Sequence, residues 1–289
     1  MLYTLEHSSW TGSFSPEEQE KAMTALENGQ VIYFPHLPFK LTAEETTFLT
    51  PTVLGEGSKN VSFDPINRQV KGTQAEQEAP LAVLMERFFN ESRALLANLL
   101  PSYQQFLLMG RTSYRPVEVV GRKTSLLKDD TRLHVDAFPA TPNQGKRILR
   151  VFSNINPSGT PRVWHLGEPF EEVVKHFLPT LRKPWFGVRT VLSLLKITKT
   201  YRSLYDHYML MLHDEMKKSD DYQNKVKKTI MAFPAGSTWI VMTDAVSHAA
   251  LSGQFLLEQT FHLPVVKMNQ PEHSPLKTLE RYLKRPLIF

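Results

Sequence analysis

The chain has 289 residues, 41% hydrophobic and 22% charged, which is enough apolar material for a full core and excludes a disordered tail or a mini-protein. It contains no cysteine, so disulfides, thiolate metal sites, iron–sulfur clusters and thiol nucleophiles are excluded, and any metal must be held by His, Asp or Glu. The net charge of +5 favours anionic partners.

In chain order, Ser15-Pro16-Glu17-Glu18 combines a capping hydroxyl, a proline at the first helical position and a glutamate three residues after the cap. A helix is expected from there to about Asn28-Gly29, with Val31 to Phe34 as a buried strand after it. Thr42 to Glu45 opens a second helical start, and the Gly-, Ser-, Asn- and Pro-rich stretch from Pro51 to Gly72 reads as a long loop. From Ala79 to Leu100, Leu81, Leu84, Met85, Phe88, Leu95, Leu96 and Leu99 recur at three-and-four spacing, one face of a long helix.

Beyond Pro101 the texture changes to short β-rich runs broken by Pro and Gly: Thr112 to Val119, Leu133 to Phe138, Ile148 to Asn154, Arg162 to Leu166, Thr229 to Phe233, Thr238 to Thr243 and Phe255 to Val265. Trp185 to about Lys228 interrupts them with helical periodicity, and Ser274 to Arg285 closes the chain with a short helix. The fold class expected is α+β: a double-stranded β-helix, the jelly-roll or cupin-like barrel, with N-terminal helices packed on it and a helical insertion between strands. One domain spans 1–289, divided into a helical N-terminal region (1–105), a barrel core (110–265) and the insertion at about 185–228. No leader-like segment opens the chain and no run approaches the roughly 18 apolar residues that cross a bilayer, so a soluble cytoplasmic protein is expected.

His134-Val135-Asp136 lies in one of the β-rich runs, where residues two apart share a face. By itself the pattern is weak, since about 0.3 chance matches are expected in a chain of this composition. A second half strengthens it: Phe233 to Asp244 reads as turn, strand and short loop delivering His248. Two imidazoles and a carboxylate on one face of an octahedron leave three positions open, the arrangement non-haem Fe(II) uses to hold an oxidisable cosubstrate and O2. Zinc would more often take a tetrahedral set. Were 2-oxoglutarate the cosubstrate, its distal carboxylate would need a cation, yet Leu256 to Thr260 carries none. On Ile148 to Asn156 one face carries Arg150, Phe152, Asn154 and Asn156, which makes Arg150 the first candidate for this clamp, with Arg147 and Arg162 behind it and Asn154 as a further polar candidate; Ser125 is a polar candidate for the substrate. A register slip of one residue would turn Arg147 inward instead.

The strings His134-Val135-Asp136-Ala137-Phe138-Pro139, Gly145 to Phe152, Asn154-Ile155-Asn156-Pro157, Gly167-Glu168-Pro169-Phe170 and Trp239 to Gly253 together resemble the Kdo hydroxylases. These are Fe(II)/2-oxoglutarate-dependent dioxygenases of Gram-negative bacteria that hydroxylate the inner-core sugar 3-deoxy-D-manno-oct-2-ulosonic acid (Kdo). The resemblance implies iron held by His134, Asp136 and His248, 2-oxoglutarate and O2 as cosubstrates, and hydroxylation at carbon 3 of Kdo attached to lipid A at the cytoplasmic face of the inner membrane. An acidic sugar on a phosphorylated lipid suits the seven Lys and Arg, without one acid, between Lys175 and Arg202, where Trp185 and Phe186 are candidates for peripheral contact with an anionic membrane. Arg122, Lys123, Lys128 and Arg132 are candidates for a substrate carboxylate or phosphate. Two alternatives stand beside this reading: the same oxygenase chemistry on nucleic acid or protein, and a non-catalytic cupin-like lipid-binding protein. A nucleic acid partner is not expected, because no basic stripe interleaved with aromatics is present for stacking bases.

Overall fold

The computed structural model describes residues 1–122, 124–184, 198 and 200–288. A short strand β1 (Leu2–Thr4) runs parallel to β2 (Val31–Phe34), and between them lies α1 (Pro16–Glu27). The Ser15 hydroxyl accepts from the Glu18 N–H while the Glu18 carboxylate accepts from the Ser15 N–H, the reciprocal cap expected from sequence. Thr42 and Glu45 make the same exchange, but it opens only a 3₁₀ turn, Glu45–Phe48, where a helix was expected. Two hydrogen bonds at a terminus cannot sustain a helix without an apolar face to bury.

The stretch expected as a loop contains a hairpin, β3 (Val61–Asp64) and β4 (Gln69–Lys71). Its inward side chains are only Val61, Phe63 and Val70, too few to register as a β pattern. The Asp64 carboxylate accepts from the N–H groups of Ile66 and Asn67 to form the turn. Helix α2 (Ala75–Leu99) begins a turn earlier than expected and buries all seven apolar positions read from its spacing.

The barrel strands follow: β5 (Leu108–Arg115), β6 (Arg147–Asn154) and β7 (Arg162–Leu166), then helices α3 (Phe170–Phe177), α4 (Leu204–Lys218) and α5 (Asp220–Lys225). Strands β8 (Thr229–Phe233), β9 (Thr238–Met242), β10 (His248–Ser252) and β11 (Leu256–Leu263) complete it, and α6 (Pro275–Leu283) packs outside. A large sheet has the order β1-β2-β9-β6-β11-β5-β3-β4, and a small one the order β10-β7-β8. Facing antiparallel sheets of this kind form the double-stranded β-helix. Strand β5 ends where Pro116 removes the next N–H, so the expected run to Val119 is not strand.

Two corrections concern the metal motif. Leu133 to Phe138, expected as a strand, makes among the described residues only an isolated antiparallel bridge, His134 to His248. His248, expected on a loop, is instead the first residue of β10.

Between the sheets sits an aromatic layer: Trp239 stacks on Phe233 at 4.0 Å and on Phe152 at 5.3 Å, with Trp164 edge-on at 5.6 Å. A larger core, with members from Leu5 to Leu287, lies between the large sheet and the helices. Of the helical insertion expected at about 185–228, α4 and α5 form its second half; Trp185, Phe186 and the first apolar stripe lie outside the described residues. Trp239→Ala is expected to lower unfolding free energy by about 3–5 kcal/mol in urea titration, because its fully buried ring has partners on three sides.

Candidate active site

His134, Asp136 and His248 converge in space. One ligand atom from each lies within 4.8 Å of the others, and His134 Nε2 stands 3.8 Å from Asp136 Oδ1. The backbone arranges this meeting. His134 N–H donates to the His248 carbonyl at 3.0 Å, His248 N–H returns to the His134 carbonyl at 2.9 Å, and Asp136 N–H reaches the Thr243 carbonyl at 2.9 Å.

Both imidazoles are held in one tautomer. His134 Nδ1 lies 2.9 Å from the Arg132 carbonyl and His248 Nδ1 2.7 Å from the Val246 carbonyl, so each Nδ1 carries the proton and donates it. Each Nε2 is left with a free lone pair, the form a metal ligand needs. Burial, with His248 and Lys217 nearby, pushes His134 well below its ordinary value, and burial lowers His248 too. Burial alone would raise Asp136, but the Arg150 guanidinium beside it outweighs that and holds the carboxyl ionised. Trp164 stacks on His248 at 5.1 Å, and the His213 ring meets His134 edge-on at 5.4 Å.

The ligand set forms one wall of a cavity of about 110 Å³ lined also by Arg115, Arg150, Arg162, Asp130, Glu258, Phe152 and Trp164. Of the arginines considered from sequence, Arg150 points into this cavity, with Nη1 3.2 Å from Asp136 Oδ2 and 3.1 Å from Glu258 Oε1. Arg162 also enters it. Arg147 does not: on the opposite face of β6, it is buried with Nε 2.7 Å from Asp244 Oδ2. Asn154 is not a lining residue either; its amide donates to the carbonyls of Thr160 and Phe233 and shapes a turn. Of the basic residues before the motif, Arg122 pairs with Asp130 and Arg132 with Asp220, Lys128 is exposed, and Lys123 lies outside the described residues.

Sequence reasoning missed Arg115, Trp164 and Glu258. Glu258 lies in the window where a base was sought, and it receives both Arg115, at 3.0 Å, and Arg150. Arg162 has no carboxylate within ion-pair distance among the described residues; Nη1 donates to the Gly253 carbonyl at 2.8 Å and Nε has no partner among them. Burial, with Arg115 alongside, pulls its guanidinium down to about 9, so it remains charged at neutral pH. A Cβ on Gly253 would lie 2.9 Å from both Cα and Cδ of Arg162, so only glycine lets that carbonyl approach the guanidinium. Trp164 Nε1 and Arg150 Nε are likewise buried donors without hydrogen-bond partners among the described residues. Orphaned donors around one small cavity are what an anionic ligand would satisfy.

Comparison with known proteins agrees with the geometry. The family described as 3-deoxy-D-manno-oct-2-ulosonic acid (Kdo) hydroxylase matches residues 9–286. The chain belongs to the Kdo hydroxylase family. Its fold is similar to a crystal structure of the Kdo hydroxylase KdoO, a non-heme Fe(II) alphaketoglutarate dependent dioxygenase, in complex with alphaketoglutarate and Fe(III): 50% identity, TM-score 0.96, covering 99% of this chain and 97% of that one. A KdoO complex with cobalt(II) gives 51% identity and a TM-score of 0.97 over the same shares, and one with succinate and Fe(III) gives 50% and 0.96. Among curated proteins no match was found.

In this Kdo hydroxylase family member, His134→Ala and Asp136→Ala are each expected to abolish stoichiometric Fe(II) or Co(II) binding, measured by metal analysis after gel filtration, while the circular dichroism spectrum stays that of the wild type.

Proposed function

We propose that this chain hydroxylates carbon 3 of Kdo in the Kdo–lipid A inner core of lipopolysaccharide, using Fe(II), 2-oxoglutarate and O2, and that His134, Asp136 and His248 hold the iron. The observation that carries this is the meeting of the three ligand atoms within 4.8 Å beside a cavity lined by three arginines. When bound, the iron supplies the oxidative chemistry by which a C–H bond is hydroxylated as 2-oxoglutarate is decarboxylated to succinate.

The protein's own part is to hold, charge and shield. The carbonyls of Arg132 and Val246 keep both Nε2 atoms unprotonated and aimed at a common point. Arg150 restrains Asp136 and keeps it ionised, leaving Oδ1 on the side facing His134. Phe152, Trp164 and Leu256 form the apolar lining that excludes bulk water.

For the distal carboxylate of 2-oxoglutarate the favoured clamp is Arg162. Arg150 and Arg115 are already neutralised by Asp136 and Glu258, whereas Arg162 is a buried cation lacking a paired carboxylate among the described residues, a costly state that an anion relieves. The charged groups lining the cavity, Arg115, Arg150 and Arg162 against Asp130, Asp136 and Glu258, balance, and a divalent cation with a dicarboxylate adds a second neutral set. The cavity lies well below the roughly 300 Å³ of a typical small-molecule pocket, so it suits the cosubstrate and leaves the sugar at its mouth.

The glycolipid sits in a membrane, and peripheral contact with its anionic cytoplasmic surface completes the proposal. The segment before Asp130, itself a lining residue of the cavity, exposes Val120, Leu126 and Leu127 together with Lys128, apolar and cationic groups suited to a headgroup layer. Trp185 and Phe186, the sequence candidates for this contact, lie outside the described residues. No helix among the described residues is long and apolar enough to cross a membrane.

Two measurements test these assignments. Purified protein is expected to form succinate from 2-oxoglutarate in an Fe(II)- and Kdo–lipid A-dependent manner, with one added oxygen on the sugar by mass spectrometry; absence of both with iron-loaded protein would reject the activity. Arg162→Ala is expected to raise the KM for 2-oxoglutarate at least tenfold with little change in that for the sugar. Arg147→Ala, by contrast, is expected to cost about 3–5 kcal/mol of stability by stranding the buried Asp244 carboxylate, with no selective effect on 2-oxoglutarate.

A further inference from the structure

We propose that Gln223, on α5 in the helical insertion, is a positioning residue for the metal ligand His134, its carboxamide standing in for a missing strand. The need follows from antiparallel geometry. His134 directs its N–H and C=O to β10, so its neighbour Leu133 must direct both backbone groups to the other side. Among the described residues no strand lies there: the segment from Leu133 to Phe138 makes only the single bridge to His248. Leu133 is fully buried, and a buried peptide with neither group paired would be costly.

Gln223 supplies both partners. Its Oε1 accepts the Leu133 N–H at 2.9 Å, and its Nε2 donates to the Leu133 carbonyl at 3.0 Å, the two-bond exchange of a strand neighbour. The second Nε2 hydrogen goes to the Met216 carbonyl at 2.8 Å, which ties the same amide to α4. The side chain is itself buried, with its bonding capacity committed to backbone groups.

Neighbouring bonds brace the same short piece of chain. Asp220, in the first turn of α5, pairs with Arg132, whose carbonyl takes the Nδ1 proton of His134. The buried Lys217 ammonium donates to the Leu127 carbonyl at 3.2 Å and lies 3.7 Å from Asp130, a residue lining the cavity. Position and tautomer of the His134 ring are thus held through Arg132 and Leu133, which the insertion grips from the side opposite β10. A barrel carrying the motif on one isolated bridge gains its second edge from the helices.

The inference rests on the proposed iron site, so the experiment separates the two. Co(II) is titrated into the metal-free full chain and followed by its visible ligand-field absorption, with thermal unfolding of the metal-free protein measured in parallel. Gln223→Met keeps the shape and removes both bonds; it is expected to weaken Co(II) binding about tenfold and to shift the absorption bands. Leu279→Ala, a cavity in α6 outside the barrel, serves as the control and is expected to lower Tm while leaving Co(II) affinity within twofold of wild type. If Gln223→Met does not fold, Gln223→Glu, which keeps the acceptor and replaces the donor, is measured the same way with the same expectation. Wild-type Co(II) affinity in the folded variant overturns the inference, as does equal weakening in Leu279→Ala. His134→Ala distinguishes the underlying reading: undiminished Co(II) binding there means that the metal site itself is misplaced.

Discussion

The site hangs on one pair of backbone hydrogen bonds. His134 and His248 are far apart along the chain, and among the described residues the exchange of N–H and C=O between them is the only strand-like pairing the motif segment makes. Because antiparallel partners oppose each other closely, that single bridge brings their rings to 4.7 Å. Asp136 follows through a further bond to the Thr243 carbonyl.

Around this bridge the electrostatics follow a simple logic. The Asp136 carboxylate, two neutral imidazoles and three guanidiniums share the lining of one small cavity, which is tolerable only if the cations find counter-charges. Asp136 and Glu258 restrain Arg150, Glu258 and more distantly Asp130 restrain Arg115, and Arg162 has no carboxylate within ion-pair distance among the described residues. Glu258 therefore stands, in the segment after the distal histidine, where a cation was sought, and its negative charge fixes two cations that come from other strands. Positive charge comes from three arginines spread around the cavity and not from the position expected.

The helices have different duties on the two sides of the barrel. Those of the N-terminal half, α1 and α2, bury apolar faces against the large sheet, and their stripes are read directly from residue spacing. The insertion helices α4 and α5 reach the metal motif with polar side chains, Lys217, Asp220 and Gln223. No periodicity advertises such contacts, since a glutamine that pairs a distant backbone amide looks like any other polar residue on a helix.

What the amino-acid sequence determined by itself was whatever depends on local pattern: the cap and face of α1, the buried stripe of α2, strands β6 to β9, and a His-x-Asp motif with a later histidine that marks the chemistry. The hairpin of β3 and β4 escaped because three inward side chains are too few to show an alternation, and the motif segment read as a strand although its partners are one bridge and one glutamine. Only the tertiary structure decided which arginine faces the ligands, because a shift of one residue along β6 exchanges one face for the other and both faces of that strand are buried. It alone brought in Arg115, Trp164 and Glu258, whose roles arise from closure of the barrel, where residues remote in sequence come to share one small volume and must balance one another's charge.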